Sequence, residues 1–320
     1  MENQALKRAV APFSPDRFPH AVALLGPAGS GRLAAARLLA AGLFCAEADG
    51  PCMGCVPCKK ALAFSHPDLF FFDNSDGKMT VDQIRALRRE AFIRPGESDR
   101  RVFILRGADK LTVPCQNALL KLLEEPPPGV VFLLIGENAN GLLPTVRSRV
   151  VSFELQPLSE GAALSFLRTA RPGKSDAAYA EAAALSGGIA GRALEMLERA
   201  DSPTRALAVR CLTALAEQSE LSFFTAVHEG ETLSSGSLTL FFDDLRALAA
   251  EGMLLLAGGR PTLPEGERDI ARLLAKRFTL AELSRLSSAF IMLRERADAH
   301  GGVAALLGTL AAECAVVAYC

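Results

Sequence analysis

The sequence lacks a charge bias. Its 320 residues carry 35 basic and 36 acidic side chains, a net charge of −1. No overall field therefore drives the chain onto nucleic acid or an anionic membrane, and any DNA contact has to be local or shared. A long unbroken apolar run is missing as well. The longest stretch, Val303 to Cys320, includes Gly308 and is interrupted by Glu313; at about the minimum spanning length it reads as a buried helix, and no membrane partner is expected. The opening residues, Met1 to Arg8, have none of the apolar core that a secretory signal needs. A cytoplasmic location with reduced thiols is the resulting expectation. Internal repeats and low-complexity runs are also absent. Half of the residues are hydrophobic, which fits a folded chain of two or three domains at roughly 100–200 residues each.

What is there is organised around Gly26-Pro27-Ala28-Gly29-Ser30-Gly31-Arg32-Leu33, which follows the apolar run Ala21 to Leu25 and opens an Ala-rich helical pattern from Leu33 to Leu43. Strand, glycine turn and helix in that order make a phosphate-binding loop, because glycines let backbone N–H groups and the helix dipole converge on an anion. Two residues that a working nucleotide site needs are missing. Arg32 stands where Lys reaches the β and γ phosphates, and Leu33 stands where Ser or Thr holds Mg²⁺. Gly26, Gly29, Gly31 and Arg32 thus read as a vestigial nucleotide loop. A second loss lies on the strand Val102 to Leu105, whose end should carry two acidic residues; the sequence has Arg106 and Gly107, with the first carboxylate at Asp109. Arg106 itself reads as a solvated strand-end residue.

Further apolar runs predict strands at 68–73, 130–135 and 150–155, separated by helical patterns from Thr80, with a capping box to Gln83, and from Thr112 to Glu125. Alternation of this kind predicts a parallel sheet covered on both faces. Beyond Pro157 every segment reads as helix, and Ser202-Pro203 is the linker candidate. The expected domains are an α/β core over 1–156, a small helical domain over 157–202 and an all-α domain over 203–320.

Cys45, Cys52, Cys55 and Cys58 form two overlapping Cys-x-x-Cys pairs with a fourth thiol upstream, in a segment, 45–58, whose turns come from Gly50, Pro51, Gly54 and Pro57. Four thiolates so spaced can close a tetrahedral site. Structural zinc is the favoured occupant and an iron–sulfur cluster the alternative. His66 is at best a spare ligand. Cys115, Cys211, Cys314 and Cys320 read as buried or incidental. Between the last two strands, Pro144-Thr145-Val146-Arg147-Ser148-Arg149 places arginines on a turn, where one can act as an arginine finger toward a neighbour's phosphate.

Taken together, the glycine loop, the inserted cysteine module, Gln116-Asn117-Ala118-Leu119-Leu120-Lys121-Leu122-Leu123-Glu124-Glu125-Pro126-Pro127 and the Ser148-Arg149-Val150 turn resemble the bacterial sliding-clamp loader ATPases. The resemblance covers the first 200 residues well and the remainder by helical character alone. It implies an α/β AAA+ parallel-sheet domain, a small helical lid and an all-α C-terminal collar that joins subunits in a ring. The family's serine-arginine-cysteine motif falls on Ser148, Arg149 and Val150, which makes Arg149, with Ser148, the residue expected to act in trans. The lid's sensor arginine falls on Gly191, with Arg192 one place late. The resemblance therefore implies a non-hydrolysing subunit of the replicative polymerase complex. Its implied partners are catalytic gamma/tau-type and delta-type loader subunits, the sliding clamp, and primer-template DNA through the assembly. A self-sufficient gamma/tau-type ATPase and a zinc-dependent DNA-binding protein are the rival readings.

Overall fold

The computed structural model describes residues 18–47, 50–260, 263, 267–299 and 301–318. The remaining part of the opening and closing segments, including Met1 to Arg8 and Cys320, lies outside the described residues. The chain divides into two compact units, one up to Phe166 together with Ser186–Arg192, the other Leu167–Leu185 with the chain from Ala193 onward.

The first unit is built on five parallel strands. β1 (Ala21–Leu25) leads into helix α1 (Arg32–Phe44), then α2 (Val56–Leu62), β2 (Leu69–Asp73), α3 (Val81–Ala91), β3 (Arg101–Arg106), α4 (Val113–Glu124), β4 (Val130–Gly136), the short α5 (Pro144–Arg147), β5 (Val151–Glu154) and α6 (Glu160–Ala170). The strand order is β2-β3-β4-β1-β5. All four pairings are parallel, as the crossover helices require. Side chains of a strand alternate between its faces. Ala21, Ala23 and Leu25 join Phe103, Leu105, Phe132 and Leu134 against α3 and α4. Val22 and Leu24 join Ile104, Leu133 and Ile135 against α1 and α2. The sheet is thus covered on both faces, as the alternation of elements implies.

Local signals explain the helix ends. Thr80 accepts a hydrogen bond from the Gln83 N–H while the Gln83 side chain accepts from the Thr80 N–H, the expected capping box. Proline begins α4 within its first turn, where a missing N–H costs nothing. Two short helices, α2 and α5, were not legible in the pattern, because seven and four residues are too few to show a period.

The second unit is helical: α7 (Asp176–Leu185), α8 (Ala190–Ala200), α9 (Pro203–Ala216), α10 (Glu220–Glu229), α11 (Ser235–Leu256), α12 (Arg268–Arg277), α13 (Leu280–Asp298) and α14 (Val303–Ala318). The boundary between units falls within α6 and within α8. Phe223, Phe241, Phe242, Phe290, Leu286 and Leu310 centre its core. One buried charged group crosses it: Arg205 of α9 pairs with Asp244 of α11 at 3.4 Å and with Glu267, before α12, at 2.6 Å. No helix among the described residues is long and apolar enough to cross a membrane.

Candidate functional site

Three places in the first unit carry the residues singled out by the sequence. The first is the glycine loop after β1. Gly26, Gly29 and Gly31 all have positive φ, the left-handed backbone that glycine adopts without strain. The loop is tied into its own domain: the Gly26 N–H donates to the Glu137 carbonyl (3.2 Å), the Ser30 N–H to Pro27 (3.1 Å), and the Gly191 N–H to the Gly29 carbonyl (2.8 Å). Arg32 lies mostly buried, 4.0 Å from Glu137. Burial pushes its pKa down, and the carboxylates of Glu137 and Asp109 work against that shift. Leu33, in the first turn of α1, packs half-buried against the core and offers no oxygen to a hard cation. Arg192 is exposed, while Gly191, one place earlier, makes the contact with the loop.

At the end of β3, Arg106 is not simply solvated. It forms an ion pair with Asp73 on the neighbouring strand at 3.1 Å. This is a partner the sequence reading missed, since β2 and β3 meet only in the fold. Gly107 has φ 71, and a Cβ there would lie 2.4 Å from the Asn74 carbonyl oxygen. The Asn74 side-chain amide donates to Gly107 O at 2.9 Å. An acidic residue at 107 is therefore excluded by backbone contact, not only absent.

The second place is the cysteine module. The sulfurs of Cys45, Cys52, Cys55 and Cys58 all lie within 4.8 Å of one another, and Cys45 and Cys55 are 4.0 Å apart. A tetrahedron with metal–sulfur bonds of about 2.3 Å has edges of about 3.8 Å, so the four thiols fit a metal ion such as zinc. Backbone N–H groups point at the sulfurs: Cys52 N–H at Cys45, Cys55 N–H at Cys52, and Cys58 N–H at Cys55, at 3.3–3.5 Å. The N–H groups of Cys55 and Gly54 bring the Cys52 thiol down to about 6. Burial pushes the Cys58 thiol up to about 12. Gly50 makes the fold possible here, because a Cβ on it would sit 2.6 Å from Cys45 Cβ. The turn at Cys55 is also the N-cap of α2, its sulfur accepting the Cys58 N–H. His66 is not part of the cluster. Its ring stacks on Phe44 at 3.9 Å, and its Nδ1 accepts the Asp68 N–H at 3.2 Å.

The third place is the turn before β5. Arg149 Nη1 donates to the Thr145 carbonyl (2.9 Å) and to Ser148 Oγ (3.1 Å), and Nη2 lies 2.8 Å from Glu124 Oε1. Arg147, two residues earlier, is exposed and makes no side-chain hydrogen bond or ion pair among the described residues. Buried Gln116 of α4 fixes the approach to the turn: its amide donates to Leu111 O and Gly141 O and accepts from the Leu143 N–H. Gln116 and Glu124 both lie in the stretch quoted from the sequence, but a helical pattern does not say what a polar residue on it will touch.

Residues 1–159 match the family profile described as "DNA polymerase III, delta subunit". The subunit delta' of Pseudomonas aeruginosa is 35% identical over 228 residues, 70% of this chain and 68% of that one. The chain belongs to the DNA polymerase III delta' family. The delta' subunit of Bacillus subtilis is 36% identical over 160 residues, which is 49% of this chain and about half (48%) of the length of that relative. Among solved structures, a gamma subunit-related protein from Thermotoga maritima matches with a TM-score of 0.47 at 18% identity over 97% of this chain and 98% of that one. The delta' assignment thus stands on sequence. The parallel α/β sheet and the helical remainder agree with the fold class expected from the sequence.

Proposed function

We propose that this chain is a non-hydrolysing subunit of the clamp loader of DNA polymerase III, and that it supplies Arg149 to the ATP site of an adjacent catalytic subunit. The observation that carries this reading is an asymmetry within one sheet. The phosphate loop follows the C-terminal end of β1 and the Arg149 turn precedes the N-terminal end of β5, while β1 and β5 run side by side in parallel. A ring subunit that receives at one end and gives at the other has this layout. Here the receiving end lacks the Lys, the Mg²⁺ ligand and both acids, and the giving end keeps its arginine. Gly26, Gly29, Gly31 and Arg32 are then remnants of a nucleotide loop, without hydrolysis of their own.

The four cysteines hold structural zinc in this reading. A Cys₄ set leaves no open coordination position, so the metal would shape the 45–58 module and take no part in a reaction. Residues 157–202 act as a helical lid and 203–320 as a collar that joins the partner subunits. Gamma/tau-type and delta-type subunits are the neighbours, and the sliding clamp and primer-template DNA are met through the assembly.

The test is reconstitution. The purified chain alone should show no ATP turnover above a buffer blank, yet co-assemble with a catalytic loader subunit and raise its DNA-dependent ATPase. Turnover by the isolated chain that vanishes on mutating Arg32 would establish the rival reading, a self-sufficient ATPase.

A further inference from the structure

We infer that Glu124 is the positioning residue for Arg149: it holds the guanidinium ready before a neighbouring subunit brings its phosphate. The inference rests on the arginine-finger reading and adds the residue that makes the finger stiff.

Two observations meet at this pair. Glu124 is the last residue of α4, where the negative end of the helix dipole disfavours a carboxylate and favours a cation. An acid in that place needs compensation from outside the helix, and Arg149 supplies it at 2.8 Å. On the other side, Arg149 is held by its own turn through Thr145 O and Ser148 Oγ, so the Glu124 contact is the one that ties its guanidinium to another element. The same helix fixes the entry to the turn through Gln116. α4 thus grips the segment at both ends. Of the five N–H groups of a guanidinium, the two hydrogen bonds engage those on Nη1, Nη2 faces Glu124 as an ion pair, and the Nε–H has no partner among the described residues, so it is left for an incoming phosphate oxygen.

A carboxylate beside a finger could also compete with the phosphate, and magnitudes decide between the roles. Side chains of Arg149 and Glu124 are 35% and 44% exposed, so solvent screens their attraction to a few-fold effect at most. Freezing a free arginine side chain costs roughly a tenfold to thirtyfold factor. The pair is thus too weak to withhold the guanidinium from a phosphate, and its bias of the free side chain toward this rotamer, one of several contacts that share that cost, is of the same few-fold size.

The experiment uses the reconstituted loader with Glu124→Ala, Glu124→Gln and Arg149→Ala, and resolves the affected site by single-turnover ATP hydrolysis. Glu124→Ala should slow that site by a few-fold, with the KM for ATP, assembly and metal content unchanged, and add nothing in the Arg149→Ala background. Glu124→Gln, whose amide oxygen can still face Arg149, should be slowed less than Glu124→Ala. A Glu124→Ala complex at or above the wild-type rate, beside a defective Arg149→Ala complex, overturns the positioning role alone. Full activity of Arg149→Ala overturns the finger reading and this inference together. Should Glu124→Ala fail to assemble, the Gln variant decides: a complex as slow as Arg149→Ala overturns the inference.

Discussion

The glycine loop and the Arg149 turn flank paired strands, and they differ in what their polar groups are doing. In the loop region both arginines face carboxylates of their own domain, while the Ser30 hydroxyl is buried without a hydrogen-bond partner. Arg32 faces Glu137, the Gly26 N–H is spent on the Glu137 carbonyl, and Arg106 faces Asp73. In the turn the guanidinium is held at its rim and keeps its Nε–H free among the described residues, with Gln116 and Glu124 fixing the backbone and the head group. The arginines of the two places thus differ in their surroundings: Arg32 is mostly buried beside a carboxylate, and Arg149 sits at the rim of its turn.

The comparison is sharpened first by trying to reverse it. Gly107→Asp would restore an acid to the strand end, but it places a Cβ 2.4 Å from the Asn74 carbonyl oxygen at φ 71. Strain and overpacking together should cost about 2–5 kcal/mol, seen as a lower midpoint in urea unfolding, with no gain in ATP turnover. A stable, ATP-hydrolysing variant would show that the Asn74 contact does not keep an acid out of position 107.

A middle-sized effect is expected at the cysteine module, which lies against α1 and so behind the loop. Cys55→Ser should lower metal content from one zinc per chain toward none. It should loosen 45–58 in hydrogen exchange while the sheet, with its own core on both faces, stays folded. Iron with visible absorbance, or no metal in the wild-type chain, would remove zinc from the account.

The smallest effect belongs to Arg106→Ala. Burial alone would raise the Asp73 pKa, but the Ser75 hydroxyl and N–H and the Arg106 charge outweigh it and hold the carboxyl below its ordinary value. A depressed folded-state pKa contributes stability that is present above the unfolded pKa, about 4, and is lost as pH falls through the folded value. Removing Arg106 should therefore raise the Asp73 pKa in an NMR titration. Since both side chains are about half-exposed, stability near pH 7 should fall by less than about 1 kcal/mol. An unmoved Asp73 would mean that the pair does not hold in solution.

Much of this was legible in the sequence, for physical reasons that can be named. Short continuous apolar runs marked every strand and helical stripes the longer helices, and Thr80 with Gln83 marked a helix start that the capping box then realised. Cysteine spacing alone brought four sulfurs to one point. The rest depends on contacts between segments far apart in the chain. That Gly107 could not be acidic is set by Asn74, 33 residues away. The partner of Arg106 is chosen by strand register, and Glu124 meets Arg149 only because α4 ends beside the turn before β5. His66, set down as a spare ligand, is instead a stacked core ring on Phe44.

The central claim is that this chain gives an arginine and hydrolyses nothing, and single-turnover ATP hydrolysis by the loader assembled with Arg149→Ala tests it most directly. An arginine finger is worth on the order of 10³–10⁵ in rate at the site it serves. The expected result is one slow site, unchanged folding, metal content and assembly, a fractional loss of total ATPase and a severe loss of clamp loading, with Arg147→Ala close to wild type. Equal defects from Arg147→Ala and Arg149→Ala, or full clamp loading by the Arg149→Ala complex, would contradict it.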